Sequence, residues 1–109
     1  MTSEQKYTVI VAIVERDKAQ PLIKAATREG ATGATVFFAR GTGTHEHLSL
    51  LRININPMKE VVLILAENEK TQPVFDAVIH AGNLNDPGAG IVFTLPVGQI
   101  AGLDFRQYV

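Results

Sequence analysis

Displaced by 52 positions, the chain lies over itself. Val9, Ile10, Val11, Ala12, Ile13, Val14 and Glu15 fall on Val61, Val62, Leu63, Ile64, Leu65, Ala66 and Glu67, and Lys18, Gln20 and Pro21 fall on Lys70, Gln72 and Pro73. Each copy then runs through a helical stretch and a glycine-containing loop into a second apolar strand, at 34–38 in the first half and 90–94 in the second. Each half therefore reads strand, helix, strand. Two helices that are apolar on one side only need a common sheet to pack on.

The helix ends follow from local chemistry. Asp17 and Asn68 are suited to capping a helix N-terminus, and Pro21 and Pro73 fall near the first turns, where a missing N–H costs little. Ala19, Leu22, Ile23 and Ala26 form one buried stripe and Val74, Phe75, Val78 and Ile79 the other. Gly30 and Gly82 stand where left-handed C-terminal caps belong. The expected fold is α+β: a ferredoxin-like βαββαβ unit whose four-stranded antiparallel sheet carries both helices on one face.

That arrangement leaves a problem on the other face. The strands at 9–14, 61–65 and 91–95 show no alternation of apolar and polar residues, so the uncovered face is apolar and needs a cover. A homo-oligomer is the economical solution, which makes a monomer unexpected. The alternative is that residues 97–109 fold back over the sheet.

With 109 residues and no cysteine, the chain is expected to be a single domain spanning 1–109, without disulfide staples. Ten basic residues against eleven acidic ones, with no block of one sign, argue against a nucleic-acid partner or a polybasic membrane patch. The first residues are polar, and the longest apolar runs, 61–66 and the equally long 9–14, are far short of the roughly 20 residues of a membrane span, so a cytoplasmic location is expected.

The segment joining the halves, 41–52, is longer than a hairpin needs, and long loops in small domains tend to be functional. Gly41 and Gly43 permit close backbone approach to an anion, or serve only as a hinge. In the loop at 82–90, Gly88 and Gly90 straddle the entry to the last strand, so their N–H groups suit either a phosphate cradle or a bulged turn. Lys59 is the basic residue placed to reach a ligand held there, or to pair with Glu60. His45 and His47 fall on one side of an extended segment and supply two imidazoles for a transition metal, too few to close a site in one chain. His80 reads as structural. No cysteine nucleophile, Gly-x-Ser-x-Gly, Walker loop or dinucleotide fingerprint is present, so neither an enzyme nor a bound cofactor is expected.

Taken together, these residues resemble the PII signal-transduction superfamily. The resemblance is carried by 12–14, by Gly30, Ala31, Thr32, Gly33, Ala34, Thr35 and Val36, by Arg40, Gly41, Thr42 and Gly43, by Lys59 and the strand after it, and by 88–93; it spans roughly residues 7 to 103. It implies a homotrimer that binds an adenine nucleotide between subunits and presents a mobile loop, the T-loop, here 41–56, to a target. It places Ile13, Thr35, Gly41, Thr42 and Gly43 around the nucleotide, Lys59 on phosphate, and Gly88, Ala89 and Gly90 in the phosphate-holding loop.

The departures are as informative. Ile91, Gly102 and Asp104 stand where the superfamily carries basic residues. Each charge-assisted phosphate contact is worth about 1.5–3 kcal/mol, so losing three weakens ATP binding by several orders of magnitude and favours ADP, AMP or another small ligand. The loop is also shorter and has no tyrosine, since Tyr7 and Tyr108 lie elsewhere, so nucleotidylation of the loop is not expected. The resemblance implies a divergent, non-enzymatic regulator acting on a membrane transporter or its accessory protein. The competing expectation is a metal-responsive trimeric module using His45 and His47.

Overall fold

The computed structural model describes residues 6–41 and 58–103. The order is β1 (Tyr7–Glu15), α1 (Ala19–Arg28), β2 (Gly33–Arg40), β3 (Met58–Glu67), α2 (Asn68–Gly82) and β4 (Gly90–Pro96). The sheet order is β2-β3-β1-β4, and every neighbouring pair is antiparallel. The expected βαββαβ architecture is therefore observed.

Strand register sorts the side chains by face, because partnered residues point the same way. Ile10, Ala12 and Val14 of β1 pair across to Ile64, Val62 and Glu60 of β3. All but Glu60 join one core cluster with Ala66 and with Ala19, Leu22, Ala26, Val74 and Val78 from the helices. Both stripes expected on the helices thus pack on the same sheet face. Leu22, Ile10 and Ile64 are fully enclosed there.

The opposite face carries Val9, Val11 and Ile13 of β1, Val61, Leu63 and Leu65 of β3, Phe37 of β2, and Ile91, Phe93 and Leu95 of β4. Its margins are open to solvent: Ile91 is 55%, Leu95 49% and Phe37 45% exposed. Toward its centre Val11 and Val61 are buried, at 8% and 9% exposure, so the described residues show an apolar face that is open along its edges.

The helix ends correct the sequence-based expectation in four places. Asp17 does not cap α1; it adopts φ 71, the N-cap is Lys18, and no side chain of the local sequence bonds the first turn. Asn68 does not cap α2 either: it is the first helical residue, its N–H donates to Lys6 O at 2.8 Å, and its Oδ1 accepts from Thr8 Oγ1 at 2.7 Å. Pro73 lies inside α2 rather than near its first turn. Gly82 is the last residue of α2, and Asn83 (φ 51) takes the left-handed position after it.

Both C-termini close in the same manner, with the left-handed residue one place later in α2 than expected. After α1, Gly30 has φ 100, its N–H donates to Thr27 O, and Ala31 N–H reaches back to Ala26 O. After α2, Asn83 N–H donates to His80 O and Leu84 N–H to Ile79 O. These are paired Schellman bonds. Gly82 has a different reason to be glycine: a Cβ there would lie 2.9 Å from Leu22 Cδ2, so its hydrogen lets the end of α2 approach α1.

Candidate functional site at one end of the sheet

The antiparallel order places four chain segments at one end of the sheet. β1 and β2 finish there, while β3 and β4 begin there. The register makes this concrete: Ile13 pairs with both Val61 and Ile91, Val14 with Gly90, Glu15 and Ala39 with Lys59, and Arg40 with Met58. Ile13, Gly41, Lys59, Gly88, Ala89 and Gly90 thus belong to one end of the fold. Thr35 is set back along β2, opposite Leu63. Thr42 and Gly43 lie outside the described residues, as do positions 42–56 of the expected loop and both His45 and His47.

Strand order also separates these residues into two groups. Thr35 belongs to edge strand β2 and Gly41 directly follows it, whereas residues 88–90 lead into the opposite edge strand β4. Three inter-strand steps lie between them, roughly 14 Å at the usual strand spacing. Within one chain the two groups thus stand at opposite edges of the sheet.

The loop before β4 is built from successive turns. Asp86 N–H donates to Asn83 O at 3.0 Å, and Ala89 N–H to Asp86 O at 3.2 Å. The Ala89 N–H is thus engaged in a turn within the loop. Gly88 has φ 83 and Gly90 φ 144, and a Cβ on Gly90 would lie 2.7 Å from Ile13 O. Gly90 is thus required by the crossing of β1 as well as by its backbone conformation. A Cβ on Gly41, in contrast, would meet no described atom within 4 Å.

Glu60 is the residue of this region that sequence reasoning misplaced. Expected only as a partner for Lys59, it is buried, and its Oε1 accepts the Ala19 N–H at 2.9 Å. The carboxylate meets the positive end of α1 across 41 positions of sequence. Its parity was the available signal, because Glu60 shares the face of Val62 and Ile64. Glu60→Ala should lower unfolding stability by about 1–3 kcal/mol by leaving a buried N–H without an acceptor, and Glu60→Gln should recover part of it, as read by chemical denaturation.

Other concavities lie away from this end. A groove of about 820 Å³ runs between α1 and α2, bordered by Lys24, Arg28, Asp76 and His80. A second, of about 540 Å³, is lined by Tyr7, Thr8, Asn68, Pro96, Val97 and Gly98 at the far end of the sheet. His80 is exposed in the last turn of α2 rather than enclosed in the core. Among the described residues no group of three or more His, Asp or Glu is placed to hold a metal ion. Within the same residues, no helix is long and apolar enough to cross a membrane.

The family profile described as "Nitrogen regulatory protein P-II" matches residues 7–104, which takes in every element of the fold. The chain belongs to the P-II family. No curated protein sequence matches it. Among solved structures, the P-II chain is similar to Arabidopsis thaliana PII bound to citrate, at 22% identity and a TM-score of 0.68, covering 97% of this chain and 86% of that one. The shared fold is the four-stranded sheet with two helices described above. Membership in P-II makes this a regulatory, ligand-binding protein by family.

Proposed function

We propose that this P-II protein assembles as a homotrimer, binds an adenine nucleotide in the clefts between subunits, and through segment 41–56 controls a target that is a membrane transporter or its accessory protein. The whole chain, 1–109, acts as one domain in the cytoplasm. The carrying observation is the division of the site: Thr35 and Gly41 sit at one edge of the sheet and residues 88–90 at the other. An apolar face between those edges gives copies of the chain a reason to associate, and association sets the β2 edge of one copy against the β4 edge of the next. Ile13 and Lys59 then lie inside the cleft rather than at a rim.

Ligand binding there favours one arrangement of segment 41–56 over another, and regulation is the difference in affinity between those two arrangements. ADP or AMP is preferred to ATP because Ile91, Gly102 and Asp104 contribute no positive charge. The citrate of the plant neighbour is a small polyanion, which puts carboxylates beside nucleotides as ligands to compare.

Titration calorimetry of the purified trimer with AMP, ADP, ATP and citrate tests the reading. ADP or AMP should bind at least tenfold tighter than ATP. Nanomolar ATP binding would contradict the preference, and heat from citrate alone would contradict the nucleotide assignment. Ile91→Lys should raise ATP affinity about tenfold, the gain expected of one added charge-assisted contact.

A further inference from the structure

Positive charge is not absent from the candidate end of the sheet; it is placed differently. Three adjacent strands present cations there in turn: Arg40 at the end of β2, Lys59 at the start of β3, and Arg16 and Lys18 just beyond β1. The glycine segment 88–90 borders the fourth strand. Arg16 and Lys18 belong to the tight connection into α1, and both are exposed.

That connection is fixed by its own bonds. Lys18 N–H donates to Glu15 O at 3.1 Å, and the next N–H, of Ala19, donates to Glu60 Oε1 at 2.9 Å. Asp17, between the two cations, holds φ 71, a conformation that costs a non-glycine residue roughly 1–2 kcal/mol and that Asp tolerates better than most. Such a cost is kept where surrounding contacts impose it. Here they hold Arg16 and Lys18 on either side of a rigid turn.

We propose that Arg16 and Lys18 supply charge to the phosphate of the ligand, in place of the basic residues that Ile91, Gly102 and Asp104 do not provide. This rests on the adenine-nucleotide reading above and adds residues to it. Glu60 is engaged by α1, so the acidic neighbours left at this end of the described chain are the exposed Glu15, Asp17 and Asp86. Surface pairing of the exposed Arg16 and Lys18 with those carboxylates would hold the two cations only weakly, at about 0–1 kcal/mol per pair. Four cations against three such carboxylates leave a small positive excess, which suits a nucleoside mono- or diphosphate better than a triphosphate.

Calorimetry with ADP and with uncharged adenosine, on the full chain, provides the test. Arg16→Ala and Lys18→Ala should each weaken ADP about tenfold and the double variant about a hundredfold, with adenosine affinity unchanged. Arg16→Lys should retain most of the ADP affinity. Lys24→Ala, which removes an exposed cation from the groove between the helices, should bind ADP as the unaltered protein does. Unfolding temperatures establish that the variants fold. If the double variant binds ADP normally, or loses ADP and adenosine in equal measure, the role of Arg16 and Lys18 is overturned while the inter-subunit nucleotide site stands. If the unaltered protein binds neither compound, both fall.

Discussion

Phe93→Asp should turn the trimer into monomers and remove nucleotide binding with it. Phe93 stands on the sheet face opposite the helices, 38% exposed, beside Val11 and in the same row as Leu63 and Thr35. A carboxylate buried in an apolar interface costs several kcal/mol without a partner, and a closed trimer would bury three of them at once. The helix-side core of Ile10, Leu22, Ile64 and Val78 does not include this side chain, so the monomer should keep its helical and strand content. Sedimentation velocity at micromolar concentration reads the assembly, circular dichroism the fold, and calorimetry the affinity, expected to drop at least a hundredfold. Persistence of the trimer would mean that the apolar face is covered in another way.

Gly90→Ala should be the most damaging single-methyl change in the described chain. Its backbone at φ 144 is open to glycine and strained for alanine, and the added Cβ would meet Ile13 O at 2.7 Å, Val14 Cγ1 at 3.0 Å and Leu84 Cδ2 at 3.1 Å. The nearest of these atoms is backbone, held in the β1–β4 ladder where Val14 pairs with Gly90, so it cannot rotate away. Strain and clash together should cost about 3 kcal/mol or more. For a domain of this size that lowers the unfolding temperature by roughly 12 °C or more. Gly41→Ala, with no described atom within 4 Å of the new methyl, should shift it little. Equal stability of the two variants would contradict the close crossing of β1 and the β4 entry.

The contrast between these glycines shows what the sequence made legible and what it did not. The 52-residue repeat and the two apolar stripes were sufficient for βαββαβ, because strand and helix periods are local properties and a one-sided helix needs a sheet. Helix ends were read less well, since their capping is decided across the fold. Glu60 caps α1 from β3, and Gly82 is glycine because Leu22 packs against it, leaving the left-handed position to Asn83.

At the candidate site, the residues could be named from resemblance, but their division between two sheet edges required the strand order, which periodicity does not encode. Gly88 and Gly90 read equally as a phosphate cradle or a turn. The folded chain shows turn bonds through Asn83, Asp86 and Ala89, and a β1 carbonyl where a Gly90 side chain would stand. Arg16 and Lys18 carried no motif at all; only the shared end of β1, β2 and β3 draws attention to them.

The division of the site between edges is the claim on which the functional reading depends, and subunit mixing measures it. Gly41→Asp places a carboxylate at the β2 edge and Gly88→Asp places one at the β4 edge, where the φ of 83 is one that Asp accepts at modest cost. Each variant alone should fail to bind ADP. Refolded together in equal amounts, they should recover binding in about a quarter of the clefts, those formed by the intact β2 edge of one variant and the intact β4 edge of the other. A mixture as inactive as its parents, although mass analysis shows mixed trimers, would place the site within a single chain and contradict the proposal.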